Sequence, residues 1–261
     1  GYENPIQGPW LMEQMKKQSE AFGTKIINDY VTNVDFSQFP FEIHTEKEKY
    51  FSYSVIIATG TKAKWLDVPG EDKLKGFGVS ACATCDGFFF KNKNVVVVGG
   101  GNTAAEESIF LSNICKKVTL IHRRDKLRAE KILQNRLFEK KNTEIIWNNQ
   151  LKEIVSNKEN KLIEKIIIKN TNDNNENEII LDGLFVAIGH KPATEIFFNK
   201  LEIDQDGYIL TKADSTKTNI DGVFAAGDVT DKIYRQAVTA AGMGCMGALE
   251  AEKFLSNKKI S

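Results

Sequence analysis

The sequence predicts an α/β fold built on buried parallel strands, and three stretches carry that prediction. Val95-Val96-Val97-Val98 is an uninterrupted β-branched run, as a strand covered on both faces requires. It leads directly into Gly99-Gly100-Gly101-Asn102-Thr103-Ala104, after which Ala104, Ala105, Ile109 and Phe110 supply the apolar positions of a helix over residues 103–111. Two more apolar runs close on small residues in the same manner: residues 54–58 end in Thr59-Gly60, and residues 223–226 end in Gly227-Asp228. A chain of 261 residues suffices for one large or two modest domains.

Taken in order, residues 1–5 read as a loop, without an initiator Met. Gly8-Pro9 leads into a helix over residues 10–22, with Leu11, Met15 and Phe22 on one face as core packing. Lys25-Ile26-Ile27 begins a strand. Residues 41–45 and 50–53 alternate apolar and polar and read as antiparallel strands around a charged turn, with His44 as a surface strand residue. Residues 54–58 return to a buried parallel strand whose small-residue end lets a flat cofactor approach the backbone. From Thr61 the character changes to turns and charge, so a crossover between domains is expected near Lys64.

Further on, residues 128–138 read as a helix and residues 145–147 as a strand. A polar turn over 157–160 precedes a strand over 162–169, and the Asn-rich run 171–177 reads as a solvated hairpin tip. Residues 179–181 and 184–188 rebuild the sheet, which Gly189-His190 ends, with a positional role for His190. Arg235-Gln236-Ala237 opens the last helix, and its positive N-terminal end suits electron density on a flat ring. The small residues Gly242, Gly244 and Gly247 imply close packing. Cys115 and Cys245 read as small buried residues.

Composition excludes several classes. At 41% hydrophobic and 27% charged residues the profile is that of an ordinary globular protein. Lys+Arg 35 against Asp+Glu 35 gives no net charge, which argues against a general nucleic-acid binder. No apolar run approaches membrane-spanning length and nothing in these residues resembles a signal peptide, so no membrane association is expected. Four cysteines in so long a chain do not make a secreted disulfide framework; a redox pair suits a reducing, cytoplasmic setting.

The chemistry gathers in Ser80-Ala81-Cys82-Ala83-Thr84-Cys85-Asp86-Gly87. A Cys-x-x-Cys pair closes a small ring on oxidation; when reduced, one thiolate attacks a foreign disulfide and the other resolves the mixed intermediate. Asp86, directly beside it, can shuttle the proton. Half of a zinc site or two buried structural cysteines are the alternatives, but zinc takes four ligands, and the chain offers only two other cysteines and three scattered histidines, which puts the redox reading ahead. Gly99-x-Gly101-x-x-Ala104 matches the fingerprint of a turn that seats a dinucleotide pyrophosphate at a helix N-terminus. About 20 residues on, where an NAD enzyme carries an acid, stand His122-Arg123-Arg124 and then Arg128. Arginines there favour a 2′-phosphate, and so NADPH.

The stretch 80–89, Gly99 to Ala104 and His122-Arg123-Arg124 resemble the low-molecular-weight bacterial thioredoxin reductases, and Ala58-Thr59-Gly60, residues 222–228 and Arg235-Gln236-Ala237 extend the likeness over nearly the whole chain. The resemblance implies two Rossmann-like, three-layer domains: an FAD domain over 1–64 and 191–261, and an inserted NADPH domain over 65–190 carrying the dithiol. It implies NADPH held by Gly99, Gly100, Gly101, Asn102, Thr103, Ala104, His122, Arg123, Arg124 and Arg128, and FAD held by Ala58, Thr59, Gly60, Gly227, Asp228, Arg235, Gln236 and Ala237. Cys82, Cys85 and Asp86 are then the catalytic residues, with Cys85 toward the flavin and Cys82 toward thioredoxin. A homodimer and a rotation between domains, hinged near Lys64 and Lys191, are also implied.

In that family a strand, a Gly-x-Gly-x-x-Gly turn and a helix precede the point at which this sequence opens. The expectation is therefore an N-terminally truncated chain that lacks the first FAD βαβ unit. Two rival readings follow. A ferredoxin–NADP reductase-like flavoprotein shares both dinucleotide sites but lacks the dithiol; a non-catalytic fragment binds NADPH and no FAD.

Overall fold

The computed structural model describes residues 6–157 and 161–259. The expectations for residues 1–5, and for 158–160 of the polar turn, lie outside the described residues. The chain divides into two compact units, one reaching to Gly60 and resuming at Thr194, the other spanning Thr61–Ala193.

The first unit opens with helix α1 (Gly8–Ala21) and strands β1 (Val31–Asp35), β2 (Phe41–Thr45), β3 (Lys49–Ser52) and β4 (Val55–Ile57). The second contains β5 (Thr61–Ala63), α2 (Glu71–Leu74), β6 (Val79–Ser80), α3 (Ala83–Asp86), β7 (Asn94–Gly99), α4 (Asn102–Ser112), β8 (Lys117–Ile121) and α5 (Lys131–Phe138). It continues with β9 (Thr143–Ile146), β10 (Asn149–Ser156), β11 (Ile163–Asn170), β12 (Glu176–Ile180), β13 (Gly183–Ala187) and β14 (His190–Pro192). The first unit resumes with β15 (Val223–Ala225) and ends in α6 (Ala237–Asn257).

The second unit is organised on a five-stranded parallel sheet, order β6-β13-β7-β8-β9. The valines of β7 divide by the two-residue period of a strand. Val95 and Val97 join Ala104, Ala105, Leu111, Leu120 and Phe185 under the helices. Val96 and Val98 join Ile154, Ile166, Ile168 and Val186 under the antiparallel sheet β10-β11-β12. All four are buried, and each contributes about 1.5–3 kcal/mol as an upper figure. Helices, parallel sheet and antiparallel sheet thus form three layers.

Two expectations change here. Ile179 and Ile180 lie in β12, at the edge of the antiparallel sheet, and do not extend the parallel one. The tight hairpin after β11 returns the chain beside its own neighbour, and an isoleucine run alone does not choose between two sheets. The helix expected from residue 128 starts only at Lys131. Its would-be first turn is claimed by the glycine turn, since the Arg128 N–H donates to the Gly100 carbonyl and the Glu130 N–H to Asn102 Oδ1.

In the first unit, β4 and β15 pair in parallel, Val223 opposite Val55, while β1, β2 and β3 form an antiparallel meander. His44 sits on β2 with Nε2 3.2 Å from Glu42 Oε2. Helix α1 buries none of its residues, and Met15 and Phe22 are exposed, against the expectation of core packing. Apolar spacing marks a face able to pack; among the described residues no segment covers it. The strand expected at Lys25 begins at Val31, and Ile26 and Ile27 are exposed, because β-branched residues make a strand only where a neighbour takes their backbone hydrogen bonds. Cys245 is exposed and not buried: on α6 it falls on an uncovered face. Cys115 is buried as expected, and burial pushes its thiol up to about 11. Among the described residues no helix is long and apolar enough to cross a membrane.

Candidate functional site

The dithiol is built at the sheet edge. Strand β6 pairs Ser80 with Phe185 of β13, and the chain then turns into the single turn α3. Cys82 caps that turn and is joined to Cys85 by a disulfide of 2.03 Å, with the Cys85 N–H directed at Cys82 Sγ. Thr84 Oγ1 lies 3.4 Å from the same sulfur. Asp86 follows, its carboxylate accepting a 2.6 Å bond from the Ser80 hydroxyl. Helix α4 backs the segment. Glu107 accepts the Ala83 N–H, Phe88 meets Phe110 edge to face, and a Cβ on Gly87 would fall 3.0 Å from Leu111. Residues 107, 110 and 111 share one helix face by their three- and four-residue spacing.

The N-terminus of α4 carries the glycine turn. A recess of about 550 Å³ opens over it, lined by Gly99, Gly100, Gly101, Thr103, His122, Arg123 and Arg128, with Asn149 and Gly189 among the remaining wall residues. Each glycine is bare for its own reason. A Cβ on Gly99 would collide with the Ala187 carbonyl at 2.4 Å, and one on Gly100 with the His122 ring at 2.1 Å, whereas one on Gly101 meets nothing within 4 Å. The space beside Gly101 is therefore open on the side facing the recess. Arg123, Arg124 and Arg128 are exposed and have no acidic partner among the described residues.

His122 does a different job from the arginines. Its Nδ1 lies 2.8 Å from the Gly99 carbonyl and its Nε2 2.9 Å from that of Lys126. Burial holds its pKa below the usual range, opposed by those two bonds and reinforced by Arg128 and Arg124. The ring bolts the glycine turn to the segment that bears the cations. Asn102 is spent on Glu130, and neither it, Ala104 nor Arg124 lines the recess. Ala104 is wholly buried in the core beneath the turn.

The remaining candidates lie in the first unit. Ala58, Thr59 and Gly60 follow β4, where Gly60 takes φ +68°. Ala226 N–H donates to the Ile57 carbonyl, so the ends of β4 and β15 stay together up to Gly227 and Asp228. Burial, and then the charge of Asp231, raise the Asp228 pKa above the usual carboxylate range, with Arg235 opposing. Among the described residues the Asp228 side chain has no hydrogen-bond partner. Asp231 gathers the N–H groups of Ile233, Tyr234 and Arg235, Arg235 takes φ +49°, and Gln236 caps α6 in a reciprocal box with Thr239 ahead of Ala237.

Comparison with known proteins agrees with this geometry. The model of the pyridine nucleotide-disulphide oxidoreductase family matches residues 3–244. A thioredoxin reductase of Rickettsia bellii is 57% identical over 98% of this chain and 83% of its own length. One from Escherichia coli O157:H7 is 48% identical over 98% of this chain and 81% of its own length. The chain belongs to the low-molecular-weight thioredoxin reductases. Among solved structures, a thioredoxin reductase from Giardia duodenalis superposes with TM-score 0.92 at 40% identity, covering 98% of this chain and 84% of that one. One from Streptococcus pyogenes gives 0.92 at 37% identity with the same coverage. Two Rossmann-like domains, the fold class expected from the sequence, are the architecture of the chain.

Several residues of this site carry little signal of their own in the sequence. Ser80 stands in the quoted motif, yet its bond to Asp86 crosses a turn whose shape no spacing reveals. Glu107 was discoverable: it lies three residues after Ala104 on the helix face turned to the dithiol. Phe88 and Phe89, beside the dithiol, are 67% and 75% exposed.

Proposed function

We propose that the chain is the NADPH-dependent, FAD-linked reductase of a thioredoxin disulfide. One observation carries the reading: a single helix, α4, presents the glycine turn at its N-terminus and supports the Cys82–Cys85 segment along its flank. Residues fitted to NADPH are the backbone of Gly99, Gly100, Gly101 and Thr103 with Arg123 and Arg128 over the recess, Asn102, Ala104, His122 and Arg124 supporting them. The unfilled space beside Gly101 and the unpaired guanidiniums support that fit. Ala58, Thr59, Gly60, Gly227, Asp228, Arg235, Gln236 and Ala237 fit FAD, supported by the small-residue strand ends and by an Asp228 carboxylate without a hydrogen bond among the described residues. When bound, the two cofactors supply an electron pair that converts the Cys82–Cys85 disulfide to the dithiol.

From there the chain's own residues act. The Cys82 thiolate attacks one sulfur of the thioredoxin disulfide; that bond breaks, and the departing thiolate takes a proton from Asp86. Cys85 returns a proton to Asp86 and attacks Cys82, which restores the Cys82–Cys85 bond and releases the second thioredoxin sulfur as thiolate. Two electrons leave the dithiol and Asp86 ends as it began. Phe88 and Phe89 offer the protein substrate an apolar landing beside the sulfurs. The two connections, Gly60 to Thr61 and Ala193 to Thr194, are the proposed hinges. A reducing cytoplasm is the setting such chemistry implies.

The deciding assay is NADPH oxidation with FAD and oxidised thioredoxin added. Turnover that needs thioredoxin is expected from the intact chain, and Cys85→Ser abolishes it. Turnover that survives Cys85→Ser sinks the assignment.

A further inference from the structure

Ser80 is 8% exposed and fixed by its backbone in β6, opposite Phe185. Its hydroxyl has two short contacts: it donates to Asp86 Oδ2 at 2.6 Å and accepts the Cys82 N–H at 3.0 Å. A third contact, to the Cys82 carbonyl at 3.4 Å, competes for the same hydrogen and loses on distance. The Asp86 N–H is itself bound to the Cys82 carbonyl. One hydroxyl therefore ties the acid to the backbone of the attacking cysteine, and the sheet edge holds that hydroxyl still.

We propose that Ser80 is a positioning residue for disulfide exchange, selecting which oxygen of Asp86 carries the proton. Its bond occupies Oδ2 and leaves Oδ1 to give the proton to the departing thiolate and to recover it from Cys85. Without the hydroxyl, the carboxyl group turns about its terminal torsion, which has no strongly preferred setting. The acid then spends most of its time misaligned, although it is still present. Positioning losses of this kind fall on the chemical step and leave substrate binding alone. The role rests on the proton-carrying part assigned to Asp86 above.

The test is a double-mutant cycle on the flavin-loaded enzyme, with NADPH and thioredoxin as substrates. Ser80→Ala is expected to lower kcat about tenfold, the size of one hydrogen bond to a charged group, with the thioredoxin KM unchanged. Ser80→Thr, which keeps the hydroxyl, is expected to restore most of that kcat. In an Asp86→Asn background, Ser80→Ala is expected to add nothing. Equal losses in both backgrounds make Ser80 a merely structural residue and overturn the proposal, as does wild-type kcat in Ser80→Ala. Asp86→Asn at wild-type turnover is a different failure: it removes the acid from the proposed function and the Ser80 role with it. NADPH reduction of the flavin, measured alone, verifies that each variant is folded, and Ser80→Thr alone at wild-type kcat supports the role should the Ala variant not fold.

Discussion

The Arg128 N–H donates to the Gly100 carbonyl at 2.7 Å, a backbone bond that stitches the loop before α5 to the glycine turn beside the Asn102–Glu130 pair. With His122 between the Gly99 and Lys126 carbonyls, the turn and the cationic segment become one rigid floor. The His122 ring, the Asn102 side chain and backbone bonds hold that floor together, so the arginine side chains on it are left free for a ligand.

This separates the arginines. Arg123 and Arg128 line the recess and Arg124 does not. Arg123→Gln and Arg128→Gln are each expected to weaken NADPH binding about 10- to 100-fold, the worth of a charge-assisted bond to phosphate, with NADH little changed. Arg124→Gln is expected to cost less. Titration of each variant with both nucleotides checks this, and an unaltered preference for NADPH in all three means the 2′-phosphate is read elsewhere.

The glycines separate as well. Gly100→Ala drives a Cβ to 2.1 Å from a His122 ring pinned at both nitrogens, so the fold is expected to lose about 1–3 kcal/mol. Gly101→Ala meets nothing within 4 Å and is expected to keep the wild-type Tm while losing NADPH affinity. Thermal melts paired with NADPH titration distinguish the two. Normal binding by Gly101→Ala rules out the space beside it as the phosphate cradle.

Residue patterns in the sequence carried the strand–turn–helix around Val95 to Ala104 and the dithiol, because each is a local conformation written in consecutive residues. Burial of Cys115 was legible for the same reason. The neighbours of a face were not. Met15 and Phe22 on α1 looked like core and are exposed; Ile179 looked like the parallel sheet and joins the antiparallel one. Such outcomes depend on which distant segment covers a surface. Arg128 does not start the helix; its backbone N–H donates to the Gly100 carbonyl, a tertiary contact that local propensity does not encode. The role of Ser80 is not legible in the sequence, because its contact with Asp86 crosses six residues of turn and has no periodicity.

Phe89 offers a clean probe of partner binding. Phe88 is braced against Phe110, whereas Phe89 is 75% exposed. Phe89→Ala is expected to raise the KM for thioredoxin roughly tenfold, as loss of an aromatic anchor does, and to leave reduction of a small aromatic disulfide unchanged. Equal effects on both substrates mean that Phe89 shapes the dithiol and does not meet the protein.

Asp228 sets function against stability. Burial, followed by the nearby Asp231, raises its pKa above the ordinary value of 3.8, and Arg235 only partly opposes them. A carboxyl whose folded pKa is raised contributes stability that is complete below its unfolded pKa and is lost as pH climbs through the folded one. At neutral pH the ionised side chain is therefore a cost that the unliganded fold carries. Asp228→Asn removes that cost. The flavin-free variant is expected to melt above wild type at pH 7, with the gap narrowing as pH falls toward 3.8. The same change is expected to weaken flavin retention, since a carboxylate accepts hydroxyl hydrogens from a sugar-like chain at more than one position and an amide at fewer. Melting curves across pH, set beside flavin release on dilution, measure both halves. A variant that melts below wild type at pH 7 would make Asp228 a structural cap and take it out of the flavin site.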